Sequence, residues 1–225
     1  MNGRLATQSE AGSPSSMAAI FTEVYRENAW LNPESRSGPG STIERGRIVQ
    51  TGLERLIAKL GVLILLDAPC GDFNWLQHAP LTGVHYLGVD VVHELVAENT
   101  RRHGQAGREF RLADITRDAL PACDLILCRD ALVHFSDEDV WRALRVFQQS
   151  GSRYLATTTF PAQSRNEPIP TGSWRPLNLE LAPFRFPPPF LAVTDGCPHP
   201  GYTDKLLAVW QLEDLVVAAP GQSRP

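Results

Sequence analysis

Three acidic residues each close a short apolar run: Asp67 in LLDAPCG, Asp90 in GVD and Asp114 in ADI. A carboxylate at the end of a strand is well placed to accept protons from a ligand lying outside the sheet. Asp90 can take both hydroxyls of a ribose, and Asp114 can take an adenine amino proton. The turn after Asp67 holds one glycine, Gly71, and Pro69 removes an amide donor from it. A dinucleotide pyrophosphate needs G-x-G-x-x-G at this place to approach a helix N-terminus. The turn therefore favours a nucleoside ligand without phosphate. Asp90 does not discriminate between the two ligands; the turn does.

His134 stands four residues after Asp130 and just before Ser136, which can cap a helix. An imidazole with an ordinary pKa of ~6.5 can take a hydroxyl proton near neutral pH. Asp130 could orient that imidazole or bind substrate. A plainer role for His134 is to close the helix N-terminus. Asp130 with Asp137 could bind a divalent ion such as Mg²⁺, although Asp137 could equally serve the helix N-terminus. The other five histidines read as surface or loop residues. Further on, Trp174, Arg175, Asn178 and Glu180 are followed by Phe184, Arg185, Phe186 and Phe190. Flat aromatic faces among hydrogen-bonding groups suit a polyhydroxylated acceptor, although such aromatics also serve as core.

The elements that must position these residues alternate in type. Ser41 and Thr42 can cap a helix whose apolar stripe runs from Ile43 to Leu60, with Gly61 at its end. VLILLDA is a continuous apolar run, as in a strand covered on both faces. Strands follow at 84–91, 109–115, 123–129 and 152–160, with helices over 93–104 and 136–151 between them. DKLLAVWQL reads as the last strand. This alternation predicts an α/β chain: a Rossmann-like, doubly wound, mostly parallel seven-stranded sheet. Residues 161–200 carry ten of the eighteen prolines. They read as a proline-rich, acceptor-binding insertion before the last strand and not as more sheet. The domain is expected over 18–215, with a disordered lead-in at 1–17 and a flexible tail at 216–225.

Composition sets outer limits. A net charge of −4 gives no electrostatic footprint for nucleic acid. No apolar run is long enough to span a membrane, and the polar N-terminus lacks a secretory h-region. Four cysteines without a CxxC pair fit a reduced, cytoplasmic setting. The partners expected are a small molecule or oligosaccharide, with a homodimer allowed.

The pieces LDAPCGD, GVD, ADI and LILCRDALVHF resemble the successive motifs of class I S-adenosylmethionine (SAM) dependent methyltransferases, over roughly Ile43–Phe160 plus the last strand. Pro69 and Phe73 stand where that family usually has glycine. The resemblance implies that Asp67 and Gly71 lie beside the methionine moiety, that Asp90 binds ribose and Asp114 adenine, and that the backbone near Arg129 closes the pocket. It also covers ESRSGPGS at 34–41, whose Ser and Gly amides, Ser37 among them, could hold the cofactor carboxylate under Trp30 or Arg36. A flexible loop is the other reading of that segment. DAPCGDFNW, SGSRYLATTTF and GSWRPLNLELAPF are similar to a sugar O-methyltransferase group, the 1-O-methyltransferases of methylmannose polysaccharide synthesis. The implied activity is O-methylation of a saccharide or small glycoside with His134 as general base. The alternatives are O- or N-methylation of another small molecule, or a non-catalytic SAM-binding partner subunit.

Overall fold

The computed structural model describes residues 16–217. The expected lead-in and tail fall outside this range except for residues 16–17 and 216–217. Met17 belongs to a helix, not to a lead-in: α1, Met17–Glu27, which the sequence reading missed. The Ser16 hydroxyl caps it by accepting from the Ala19 amide at 3.1 Å, and left-handed Asn28 ends it. α2, Ile43–Leu60, is the expected helix. Thr42 caps its start and Gly61, at φ 63°, releases the chain from its end.

Seven strands form one sheet in the order β3-β2-β1-β4-β5-β7-β6. They are β1 Ile64–Asp67, β2 His85–Asp90, β3 Arg108–Leu112, β4 Leu125–Cys128, β5 Tyr154–Thr159, β6 Leu191–Thr194 and β7 Leu206–Gln211. The first five are parallel. β7 runs antiparallel to both β5 and β6. The winding reverses between β1 and β4, where the chain turns from building one half of the sheet to the other. The crevice outside their carboxyl ends is where an open α/β sheet takes a ligand.

The insertion departs from expectation in one respect. Leu191–Thr194 inside it is a strand, β6. It lies at the sheet's edge and follows Pro187, Pro188 and Pro189, so proline density stops just short of the residues that need ladder donors.

Helices cover both faces. α2 and α3, His93–His103, place Val49, Leu53, Leu56 and Leu95 against Leu65, Tyr86, Leu125 and Leu127. α4, Asp137–Gln149, places Val140, Leu144 and Phe147 against Leu66, Ile126 and Leu155 on the other face. Leu177, Leu179, Phe184 and Phe186 of the insertion join this second core. Each such side chain stabilises the fold by about 1.5–3 kcal/mol through burial. Phe184 and Phe186 are therefore packing residues and not a ligand surface. Among the described residues no helix is long and apolar enough to cross a membrane.

Candidate active site

The turn after β1 is held from three sides. Asn99 of α3 donates its amide to the Gly71 carbonyl at 2.8 Å. Ser37 accepts from the Asp72 amide at 2.8 Å, and Ser35 donates to the Asp72 carboxylate at 2.8 Å. The Arg36 amide donates to the same carboxylate at 2.8 Å. The 34–41 segment is thus docked on the turn, and Asp72 is the residue that docks it. Gly71 has φ +53°, and a Cβ there would run into the Ser37 side chain. Phe73, at φ 55°, is held in this conformation by packing. Its buried ring lies 5.0 Å from that of Tyr86 and 5.2 Å from that of Phe110, sealing β2 and β3 below the turn.

Two carboxyls face one another across this turn. Asp67 accepts from the Tyr86 hydroxyl at 2.7 Å. Asp90 accepts from the Gly71 amide at 3.1 Å and the Val92 amide at 3.0 Å. Burial raises the Asp67 pKa to about 7, assisted by the Asp90 charge and opposed by the Tyr86 hydrogen bond and Arg129. Burial likewise raises Asp90 to about 6, against its backbone hydrogen bonds. Among the described residues no Lys or Arg side chain forms an ion pair with either carboxyl. Both line a cavity whose other walls include Ser37, Gly71, Val92, Ile115, Arg129, Asp130 and His134.

His134 sits on a short 3-10 turn, Leu132–His134, after β4. Its Nδ1 is 2.8 Å from the Ser173 carbonyl oxygen. A carbonyl can only accept, so Nδ1 carries the proton and Nε2 keeps a lone pair. Burial lowers the pKa of this imidazole, while the Ser173 contact and Asp130 push it up and Lys205 pushes it down. The Trp30 ring lies over it, with centroids 4.4 Å apart. Asp130 has left-handed backbone, φ 55°, and its Oδ2 is 2.6 Å from Lys205 Nζ. Burial works against its charge, but Lys205 and Arg129 overcome that and hold the carboxyl well below the usual range.

Residues 66–150, under half of the chain, match the family model described as a methyltransferase domain. Over these residues the chain is similar to a methyltransferase domain. Human N-acetylserotonin methyltransferase in complex with SAM is 14% identical, with 84% of this chain and 58% of that chain covered at a TM-score of 0.53. The likeness extends the shared fold well beyond 66–150. The N-methyltransferase NodS from Bradyrhizobium japonicum, in complex with S-adenosyl-L-homocysteine, is 16% identical, covering 61% and 73% at a TM-score of 0.49. Magnesium protoporphyrin IX methyltransferase from Synechocystis, with bound SAH, is 18% identical, covering 54% and 59% at 0.42. The chain therefore spans about three fifths of the length of the first and last of these proteins. No curated protein matches the sequence.

The fold brings Ser37, Asp67, Gly71, Asp90, Arg129, Asp130 and His134 to one cavity. Asp114 does not line it. Its Oδ1 accepts from the Thr116 amide and hydroxyl at 2.9 and 2.6 Å, closing its own turn, while its neighbours Ala113 and Ile115 reach the cavity. None of Trp174, Arg175, Asn178 and Glu180 lines it either. Arg175 is buried, pairs with Asp137 at 2.7 Å and donates to the Glu167 and Phe135 carbonyls. Asn178 donates to the Pro161 and Gln163 carbonyls, and its Oδ1 accepts the Glu180 amide. Trp174 packs edge-on to Tyr202 at 5.1 Å. The insertion supports the site through the Ser173 carbonyl, which orients His134, and through Asp195, which holds Arg129.

The pairing of Asp130 with Lys205 and of Asp137 with Arg175 gives the divalent-ion reading no support. Each carboxylate is already neutralised by a cationic side chain, and no cluster of metal-donor residues occurs among the described residues. Lys205, Asp195, Tyr86 and the apolar face of α1 escaped the sequence reading. Only α1 left a local signal, the helical spacing of Met17, Phe21, Val24 and Tyr25.

Proposed function

We propose that the chain is a SAM-dependent O-methyltransferase of a small hydroxyl compound, with His134 as general base. The observation that carries this reading is the His134 tautomer: a neutral imidazole with Nε2 unprotonated, on the rim of a cavity that also holds Asp67 and Asp90.

The residues present fit the cofactor. Two buried carboxyls that form no ion pair among the described residues suit a ligand that brings cationic groups and a ribose diol. Asp67 and Gly71 would hold its methionine part, Asp90 its ribose, and Ser37 and the backbone near Arg129 its carboxylate end. Val91, Leu95, Ala113 and Ile115 would supply the adenine wall in place of the Asp114 carboxylate. When bound, SAM supplies a methyl group activated by its sulfonium. His134 Nε2 takes the proton of the acceptor hydroxyl, and the Ser173 carbonyl holds the ring so that the lone pair stays on Nε2. Asp130, ion-paired and of depressed basicity, acts as a fixed charge and not as the base.

Met17, Phe21, Trp30 and Phe135 line the remaining wall, which favours an acceptor with an apolar face. Nothing in that wall favours a saccharide over another hydroxyl compound. Incubating the protein with SAM and a panel of phenols, alcohols, saccharides and amines tests the reading. A mass gain of one methylene on a hydroxyl acceptor is expected, and His134→Ala should lower kcat by about 10²–10⁴ with SAM affinity retained. Transfer to amines alone, or a His134→Ala variant of normal kcat, overturns it.

A further inference from the structure

Four charged side chains meet at the edge of the cavity: Arg129, Asp130, Asp195 and Lys205. Lys205, just before β7, places Nζ 2.6 Å from Asp130 Oδ2 and 3.0 Å from Asp195 Oδ1. Arg129 donates through Nε to Asp195 at 2.8 Å and lies 3.6 Å from Asp130. Two cations thus balance two anions. Arg129, Asp195 and Lys205 are nearly closed to solvent; the Asp130 side chain keeps 25% exposure and reaches the cavity. Thr158 completes the grip: its hydroxyl accepts the Asp130 amide at 2.8 Å and donates to Oδ1 at 3.1 Å. A buried network of this kind adds little net stability, but removing one member leaves an uncompensated charge.

We propose that Lys205 is a positioning residue for methyl transfer: with Thr158 it fixes the Asp130 carboxylate at the cavity edge and balances that charge beside His134. The proposal rests on His134 being the base. His134 is packed by the Trp30 ring and the Ser173 carbonyl, and the charged groups that act on it are Asp130 and Lys205. With the cation gone, the Asp130 charge holds a proton on the imidazole more firmly, and the base is lost at pH values where the native protein works.

The test is the titration of the His134 ring by NMR in the full chain, alongside the pH profile of kcat. In Lys205→Met the His134 midpoint moves up, the acid limb of kcat moves with it, and kcat falls by about 10–100-fold while SAM affinity holds. Lys205→Arg restores all three. Asp130→Asn/Lys205→Met, which removes both charges, brings the midpoint back toward the native one. A His134 midpoint unmoved in Lys205→Met overturns the proposal. Should that variant fail to fold, Asp130→Asn alone must lower the midpoint, and an unmoved one is equally decisive. A midpoint that shifts while the kcat limb stays put keeps Lys205 in its place and takes the base away from His134.

Discussion

Asp67 and Asp90 carry the site's plainest pH dependence. Their pKa values, about 7 and about 6, lie above those of free carboxyls because burial penalises their charge. A cationic ligand favours the ionised forms. SAM binding should therefore tighten as pH rises through the 6–7 range and become level above it. Below that range it should release protons, with affinity changing by up to about tenfold per pH unit for each proton linked. Calorimetry in buffers of different ionisation enthalpy reads both effects; affinity that is flat across this range would mean the carboxyls do not meet the cofactor. Residues of this kind were legible in the sequence because each ends an apolar run, which places it on the ligand side of the sheet. Asp195 and Lys205 were not. They meet Arg129 and Asp130 across 66 and 75 residues of chain, and no local pattern records such a meeting.

Among the α-helices, α1 differs from α2, α3 and α4 in having no fully buried residue. Its Met17, Phe21, Val24 and Tyr25 face the cavity. It is held by the Phe21–Phe135 ring contact, the Arg26–Glu94 ion pair and the Arg36 side chain, which donates to the Tyr25 and Arg26 carbonyls at 3.0 Å. A helix with so little buried area opens at low cost. Its amides should exchange with deuterium far faster than those of β1 and β4, and SAM or SAH should slow them by covering its apolar face. Equal exchange of α1 with and without ligand would separate it from the site. Most elements were readable because apolar runs and caps coincide: Thr42 and Gly61 bracket α2, and Ser136 starts α4. α1 carried the same signals but follows a polar stretch that masked them. β6 lay hidden because its four residues sit among prolines.

For the molecule as a whole, these two carboxyls set the pH of greatest stability. Both are raised in the folded state, so their contribution is complete below the unfolded pKa of ~4. It is lost as pH climbs through about 6 and about 7. Asp130, Asp118, Glu94 and Glu98 are shifted the other way, so their contribution is present above ~4 and fades as pH falls toward their lowered values. The ligand-free protein should accordingly melt highest in mildly acidic solution. The rise in Tm on adding SAM should grow toward neutral pH, reaching about 2.7 kcal/mol of stabilisation when SAM is at a hundred times its Kd. Scanning calorimetry across pH checks this, and a SAM-free optimum above pH 7 would contradict it. The late position of β7 also bears on the order of synthesis. Arg129 reaches back to the Gly40 carbonyl and forward to Asp195, and Asp130 waits for Lys205. A ribosome that has made the methyltransferase motifs has therefore not yet made their counter-charges. The charges at the edge of the crevice between β1 and β4 are balanced on a nascent chain only after the start of β7 has emerged, so the finished network arrives with β7 and not with the motifs.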